Sequence, residues 1–349
     1  MSEKLNKMHS ESRYGMPLPA RIREFTELTD EARKKGGPSH RIENFQGQVV
    51  NLPYIRVPEN LPKYRIANGR TSSIQEEWVT LKGEDESFFA GDPELLTLQK
   101  AQHQILIEMI NEEGLLEKFK NPKNIQVEPL LLDENGFVIN GNRRLCCWRT
   151  LYLKDPDKYS HFSHVDVVVL DKCNDKELDA LESRLQIERD IRSNYSWHAE
   201  AKMLEEKQKK FGYTTGELAK QYGKKPNEIE ELFEIRKLGA EYLETRNKKN
   251  IWSELKETEH TFKALNKAMK KQRSIFNSEI LKELAFPYIE NPDAAGERLY
   301  LFLPKLGQHL SKVKEQLKET FPQDADTSVD AEAASAFGGA TNADEGANE

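Results

Sequence analysis

The sequence predicts an α+β domain with a small mixed sheet, followed by an all-α region. Over residues 48–192, short β-prone segments alternate with amphipathic helical ones, and Asp133-Glu134-Asn135-Gly136 has the composition of a hairpin turn between two strands. From Tyr195 to about residue 320, nearly every segment has helical periodicity, broken by prolines. These two patterns separate a sheet-containing domain from a helical remainder.

The sheet domain is expected to contain five elements that bear on the site. Gln48 to Val57 is β-prone, and its proline demotes it to an edge or bulged strand. Asp92-Pro93-Glu94 opens a helix with an apolar stripe through about residue 112. The segments 125–132 and 137–139 are expected to pair as a hairpin, and 165–170 has the composition of a buried strand.

Composition divides the chain into five regions. We predict an N-terminal arm (1–40), a sheet domain (41–194), a helix-turn-helix domain (195–250), a C-terminal helical region (251–320) and a disordered acidic tail (321–349). The tail holds seven acidic residues and no lysine or arginine, whereas the formal net charge of the whole chain is -7. The rest of the chain is therefore neutral overall, so net charge alone neither favours nor excludes a nucleic-acid partner.

The cellular setting follows from what the sequence lacks. No run of 18 apolar residues is present, so no transmembrane helix and no membrane partner are expected. The first residues lack the apolar core of a signal peptide. The three cysteines, two of them adjacent, do not form a disulfide framework, which indicates a reducing, cytoplasmic setting. Cys146 and Cys147 are expected to be packing residues rather than nucleophiles.

The most informative stretch is Val138 to Arg149, where a short strand stops at Gly141 and a helix opens with Arg143 and Arg144. A helix N-terminus carries unpaired N–H groups and the positive end of the helix dipole, so it favours anions. A guanidinium group binds oxyanions in pairs. The residues alone leave two readings open: a phosphate-binding corner, or ordinary surface charges where a strand meets a helix.

A helix is expected from Asn174, which forms a capping box with Glu177. Leucines at 178, 181 and 185 share one face, and Glu188 and Arg192 continue that face into the last turn. This helix would therefore carry an acid and a base on its inner side.

The region from Thr214 to Leu238 has helix-turn-helix spacing, with Ala219 at the crossing and Gly223 in the turn. Lys224 and Lys225, at the entry of the second helix, are the best candidates for contacts with DNA phosphates. The second helix itself is acidic and would repel DNA, which leaves DNA binding, protein docking and a purely structural role open. Its acidic residues are Glu228, Glu230, Glu231 and Glu234.

In this order, these pieces resemble the ParB family, which has a ParB/sulfiredoxin-type domain followed by a helix-turn-helix. Gly141-Asn142-Arg143-Arg144-Leu145-Cys146-Cys147 resembles the family's GERRxRA box, and Glu188-Arg189-Asp190-Ile191-Arg192 resembles its ENxQR box. Ser196-Trp197-His198-Ala199-Glu200-Ala201 then resembles the family's SPxEEA segment. With the helix-turn-helix, the resemblance covers roughly residues 95–240.

The resemblance implies a nucleotide site. In the ParB family the two boxes line a site for a nucleoside triphosphate, typically CTP with magnesium, and nucleotide binding closes a homodimer that clamps DNA. The positions that would bind the phosphates here are Gly141, Asn142, Arg143, Arg144, Arg189 and Arg192. Glu188 would be the catalytic acid, assisting the metal or positioning water.

Two departures from the family pattern weigh on hydrolysis. Asn142 stands where the first box has glutamate, and Arg189 stands where the second has its magnesium-binding asparagine. Arginine cannot ligate magnesium, although it can neutralise the same phosphates. The sequence therefore supports phosphate binding better than it supports triphosphatase activity. No residue of the chain is assigned as a metal ligand.

Two alternatives to a nucleotide-binding, DNA-associated protein remain. One is a non-enzymatic DNA-binding or adaptor protein on the same fold, in which the arginines only hold the corner and the acidic helix docks a protein. The other is a metal-dependent nuclease that uses Glu188, against which stands the lack of a carboxylate cluster in the sequence.

Overall fold

A computed structural model describes residues 12–121, 123–189 and 196–320, without the side chains of residues 12, 186–189 and 318. The predicted acidic tail and Arg192 lie outside the described residues. Glu188 and Arg189 close a described helix, but their side chains lie outside the description as well. The chain forms two compact units, one up to Lys256 and one from Glu257 onward. The finer domain boundaries drawn from the sequence stay predictions.

The α+β class is confirmed, and helices dominate the described residues. The strands are β1 (Ser39–Phe45), β2 (Gln48–Pro53), β3 (Ile55–Pro58), β4 (Lys63–Tyr64), β5 (Leu130–Leu132), β6 (Phe137–Asn140) and β7 (His164–Val169). The helices of the first unit are α1 (Leu18–Lys35), α2 (Ser72–Lys82), α3 (Leu96–Glu112), α4 (Leu115–Lys120), α5 (Asn142–Lys154), α6 (Asp175–Arg189), α7 (Trp197–Phe211), α8 (Thr215–Gln221) and α9 (Pro226–Thr245). Those of the second unit are α10 (Glu259–Lys270), α11 (Ile275–Glu290), α12 (Leu299–Gln308) and α13 (Leu310–Thr320). Among the described residues, no helix is both long and apolar enough to cross a membrane.

The main sheet is small and mixed, as the sequence predicted. Its five strands run in the order β3-β7-β5-β6-β4, with antiparallel pairs β3–β7 and β5–β6 and parallel pairs β7–β5 and β6–β4. A separate antiparallel hairpin joins β1 and β2. The single strand expected at 48–57 is therefore two strands in two sheets, divided at Tyr54 directly after the proline.

The strand expected at 125–132 is shorter in the structure, because β5 begins only at Leu130. Before it, the side chain of Gln126 takes the place of a strand partner. Its amide donates to the carbonyl of Asp166 and accepts from the Asp166 N–H, both at 2.7 Å. Because the Gln126 side chain hydrogen-bonds both backbone groups of Asp166, no strand is needed beside β7 at this position.

Helices cover both faces of the main sheet, and β6 shows how the faces divide. Val138 packs with Leu145, Trp148 and other residues of α5 and α3 in one buried cluster. Ile139 packs on the opposite face with Leu178 and Leu181 of α6. Because successive strand residues point to opposite faces, a strand of four residues serves both layers. This arrangement fixes the end of β6, where α5 begins.

The two helices expected on either side of Gly223 are α8 and α9. Ala219, Ile229 and Leu232 are buried, and Gly223 between the helices has φ 62°. Thr214 and Glu217 cap α8 reciprocally, with the hydroxyl accepting from the Glu217 N–H at 3.2 Å and the carboxylate accepting from the Thr214 N–H at 2.8 Å. Within the region assigned to the N-terminal arm, α1 begins at Leu18 after Pro17.

Candidate functional site

The β6–α5 corner, formed by Gly141 to Arg144, depends on a glycine. Gly141 has φ 115° and ψ 14°, a conformation that side-chain-bearing residues rarely adopt. A Cβ at this position would lie 2.4 Å from Cδ2 of Leu130 and 3.1 Å from Nη2 of Arg144. The absence of a side chain therefore lets the Arg144 guanidinium lie directly over the backbone where α5 starts.

Asn142 holds the corner in place from within. Its side chain is buried, donating to the carbonyl of Val138 at 3.0 Å and accepting from the N–H of Arg65 at 3.3 Å. These bonds tie the start of α5 to β6 and to the end of β4. The amide of Asn142 is thus committed to the fold, and only its backbone N–H is left to serve as the predicted phosphate contact.

Both arginines of the corner have protein partners. The Arg143 guanidinium forms an ion pair with Glu113, just after α3, and the two side chains are 24% and 36% exposed. Arg144 donates to the carbonyls of Glu128 at 2.9 Å and Pro129 at 3.4 Å, and its Nη1 lies 3.7 Å from the Glu128 carboxylate. The corner thus brings the two predicted arginines to one helix end, but an anion would have to compete with Glu113 for Arg143.

A buried charged group farther along α5 was not predicted. Arg149 on α5 is fully buried, donating to the Glu59 carboxylate at 2.9 Å and to the carbonyls of Glu59 and Pro62. Burial raises the pKa of Glu59 above its ordinary value, although Arg149 acts in the opposite direction. In the sequence, the one signal for this role was that Arg149 lies four residues after Leu145, on the apolar face of α5.

The neighbouring titratable groups are held uncharged. Burial lowers the pKa of His103 to about 3, and Arg149 and Arg13 act in the same direction. Burial raises the pKa of Cys146 to about 12, and it also raises the pKa of Cys147. Both thiols are fully buried, which confirms that these cysteines are packing residues.

A second polar group joins α6 to the helix-turn-helix region. Asp179 forms a buried ion pair with Lys207 of α7, whose ammonium also donates to Ser183 at 3.1 Å. The Ser183 hydroxyl lies 3.0 Å from that of Tyr222, just after α8. The Lys207 ammonium is therefore bound inside the protein.

The second box contributes no described side chain to the corner. The side chains of Glu188 and Arg189, and all of Arg192, lie outside the described residues. Earlier on α6, Glu182 is buried and its carboxylate lies 3.9 Å from the Arg65 guanidinium. Since Arg65 also donates its N–H to Asn142, this residue connects α6 to the corner.

The predicted DNA-contacting lysines differ in their surroundings. Lys224 forms an ion pair with Glu200 at 3.0 Å, whereas Lys225 is exposed at the start of α9. Farther along α9, Arg236 is paired at 3.0 Å with Glu76 and with Glu205. Lys224 and Arg236 are thus balanced by acidic side chains, and of the two predicted lysines Lys225 is the more accessible to a phosphate.

Among the described residues, no three histidine, cysteine or acidic side chains gather as a metal site would require. No family model matches the chain, and no curated protein matches it. The resemblance to the ParB family therefore rests on the residues of the two boxes and on the helix-turn-helix.

Proposed function

We propose that the protein binds a nucleoside triphosphate, with its phosphates at the β6–α5 corner, as in the ParB family. The observation that carries the proposal is the position of the Arg144 guanidinium over Gly141, at the N-terminus of a 13-residue helix. A phosphate there would meet the helix dipole, the first N–H groups of α5 and a planar guanidinium. Asn142 would hold this geometry without contacting the ligand through its side chain.

CTP with magnesium is the ligand that the resemblance favours. Magnesium keeps several of its waters and is bound largely through the phosphates of its nucleotide, so a cluster of protein carboxylates is not required. Glu188 is the residue to which we assign the positioning of water, or assistance to the metal, should the triphosphate be hydrolysed. Arg189 and Arg192 would add positive charge to the phosphates.

The helix-turn-helix is the part to which we assign DNA, with Lys224 and Lys225 as phosphate contacts. In the family, nucleotide binding acts on DNA through a homodimer, and the same arrangement is proposed here. DNA binding of this kind would be weak and strongly dependent on salt, because Lys224 and Arg236 are already paired with acidic side chains.

A second function, an adaptor protein without nucleotide, is favoured by a different observation. Arg143 is paired with Glu113, Arg144 caps two carbonyls, and α9 presents exposed acidic residues such as Glu228 and Glu230. In that case the arginines only stabilise the corner, and α9 docks a basic protein surface.

A thermal-shift screen separates the two functions. ATP, CTP, GTP and UTP are each added with and without magnesium, and then with duplex DNA. Nucleotide binding predicts a rise in melting temperature of about 2 °C or more for at least one triphosphate. The rise should vanish in Arg144→Ala and persist in Arg56→Ala, which removes an exposed arginine paired with Asp166. No rise with any of the four nucleotides would favour the adaptor.

A further inference from the structure

A cavity of about 400 Å³ lies between the segment that precedes α1 and the start of α3. Tyr14, Pro17, Leu18 and Leu96 supply apolar surface, and Lys63 and Glu94 supply charge. None of its lining residues belongs to the β6–α5 corner, so the cavity is separate from the proposed nucleotide site.

The charges at this cavity do not balance. Glu94 accepts from Arg21 Nη1 at 3.1 Å and forms an ion pair with Lys63 at 2.9 Å. The Arg21 side chain is fully buried and that of Lys63 is 7% exposed. Among the described residues, Glu94 is the only carboxylate that either cation contacts. Two buried cations therefore share one anion, and a net positive charge remains beside the cavity, which is costly unless an anion compensates it.

The hydrogen-bonding groups at the cavity also leave donors available. The Lys63 ammonium has three N–H donors and uses two of them, on the carbonyl and the carboxylate of Glu94. The Tyr14 ring packs 4.8 Å from the ring of His103, and its hydroxyl has no hydrogen-bond partner among the described residues. The cavity thus combines one ammonium donor, one phenol and an apolar wall.

The chain is shaped to keep Lys63 in this position. Gly15 has φ 121°, and a Cβ there would lie 2.1 Å from Cγ of Lys63 and 2.9 Å from the carbonyl of Pro62. Only glycine allows the backbone to pack so closely on the lysine stem. Arg21 also donates to the carbonyls of Met16 and Asn135, which ties the segment that precedes α1 to the turn between β5 and β6.

We propose that this cavity binds a small organic anion, in which a carboxylate is attached to a compact apolar body. The carboxylate would pair with Lys63, and the apolar body would lie between Tyr14, Leu18 and Leu96. Glu94 is saturated by two cations, so it sets the position of Lys63 rather than contacting the ligand. A neutral ligand of the same shape would leave the excess charge uncompensated and would bind less tightly.

Benzoate and hexanoate are suitable probes, because each joins a carboxylate to a compact apolar group, and benzamide is the neutral match for benzoate. At about 10 mM, we expect benzoate or hexanoate to raise the melting temperature of the full chain by about 2 °C or more, and benzamide to have less effect. The proposal is overturned if neither carboxylate raises the melting temperature, or if benzamide raises it as much as benzoate.

Two variants locate the binding. Lys63→Met removes the positive charge, and Leu96→Trp fills the cavity while leaving the charged groups in place, so at least one of them should fold even if the other is destabilised. Both should lose the benzoate shift, whereas Lys82→Met, at an exposed lysine on α2, should keep it. A shift that survives in folded Lys63→Met or Leu96→Trp protein would mean that the carboxylate binds elsewhere.

Discussion

Replacing Gly141 by alanine tests the geometry of the β6–α5 corner directly. At φ 115°, a side-chain-bearing residue carries backbone strain of about 1–3 kcal/mol. The new Cβ would also lie 2.4 Å from Cδ2 of Leu130, which is buried, so the core must shift at a further cost of about 1–3 kcal/mol. Gly141→Ala should therefore lower the free energy of unfolding by about 2–6 kcal/mol.

The matched control is Gly212→Ala. Gly212 ends α7 at φ 69°, and a Cβ there would meet no atom within 4 Å. This variant should cost only about 1 kcal/mol, because it carries left-handed strain without a clash. The difference between the two variants isolates the contact with Leu130.

Tryptophan fluorescence during urea unfolding is the appropriate assay. The four tryptophans of the chain, Trp78, Trp148, Trp197 and Trp252, all precede Glu257, so their emission reports the unit that contains the corner. Equal losses in Gly141→Ala and Gly212→Ala would refute the argument that Gly141 is required for close packing. Because the Cβ would also displace the Arg144 guanidinium, Gly141→Ala should lose any stabilisation by a triphosphate.

Three further predictions follow from ion pairs and titrating groups. Glu113→Gln removes the carboxylate that competes for Arg143 and should strengthen triphosphate binding about two- to fivefold in a titration. Weaker or unchanged binding would mean that Arg143 does not reach the ligand. Arg149→Met leaves Glu59 buried without its cation and should cost about 3–5 kcal/mol of unfolding free energy. Because burial raises the pKa of Glu59, its carboxyl group binds a proton more readily in the folded state, and a protonated Glu59 needs no cation. The loss of unfolding free energy in Arg149→Met should therefore be larger at pH 8 than at pH 5.5, and a loss independent of pH would contradict this. Burial lowers the pKa of His198 to about 3, so the unfolded chain binds a proton at this imidazole before the folded chain does, and the free energy of unfolding falls as pH drops below about 6.5. His198→Phe should reduce the slope of unfolding free energy against pH by up to about 1.4 kcal/mol per pH unit. An unchanged slope would contradict the burial argument.

Local patterns predicted the elements that have strong signals of their own. The hairpin at Asp133 to Gly136, the stripe of α3 and the helix-turn-helix spacing around Ala219 each depend on residues close together in sequence. Their hydrophobic periods and turn residues agree with the final packing, so they could be recognised without tertiary information.

Long-range pairing could not be predicted in the same way. Arg149 meets Glu59 across 90 positions, and Arg143 meets Glu113 across 30. Gln126 replaces part of a strand only because Asp166 lies beside it in the sheet. Each of these contacts is set by the fold, so the protein partners of the corner arginines could not be read from the sequence.

Sequence did predict that Gly141, Arg143 and Arg144 lie at one helix end, because a strand, a glycine and a helix follow one another without a gap. It did not predict that the Asn142 side chain is buried and hydrogen-bonded, since the Arg65 N–H that donates to it lies just after β4, far away in sequence. The contribution of the second box stays a prediction.

The most direct test of the nucleotide-binding proposal is a calorimetric titration of the chain with CTP and magnesium. We expect wild-type protein to bind CTP, Arg144→Ala to lose at least about tenfold in affinity, and Arg144→Lys to fall between them because it keeps the charge but loses the planar fork. Absence of CTP binding by the wild type, or equal affinity of wild type and folded Arg144→Ala, would contradict the assignment of the phosphates to the β6–α5 corner.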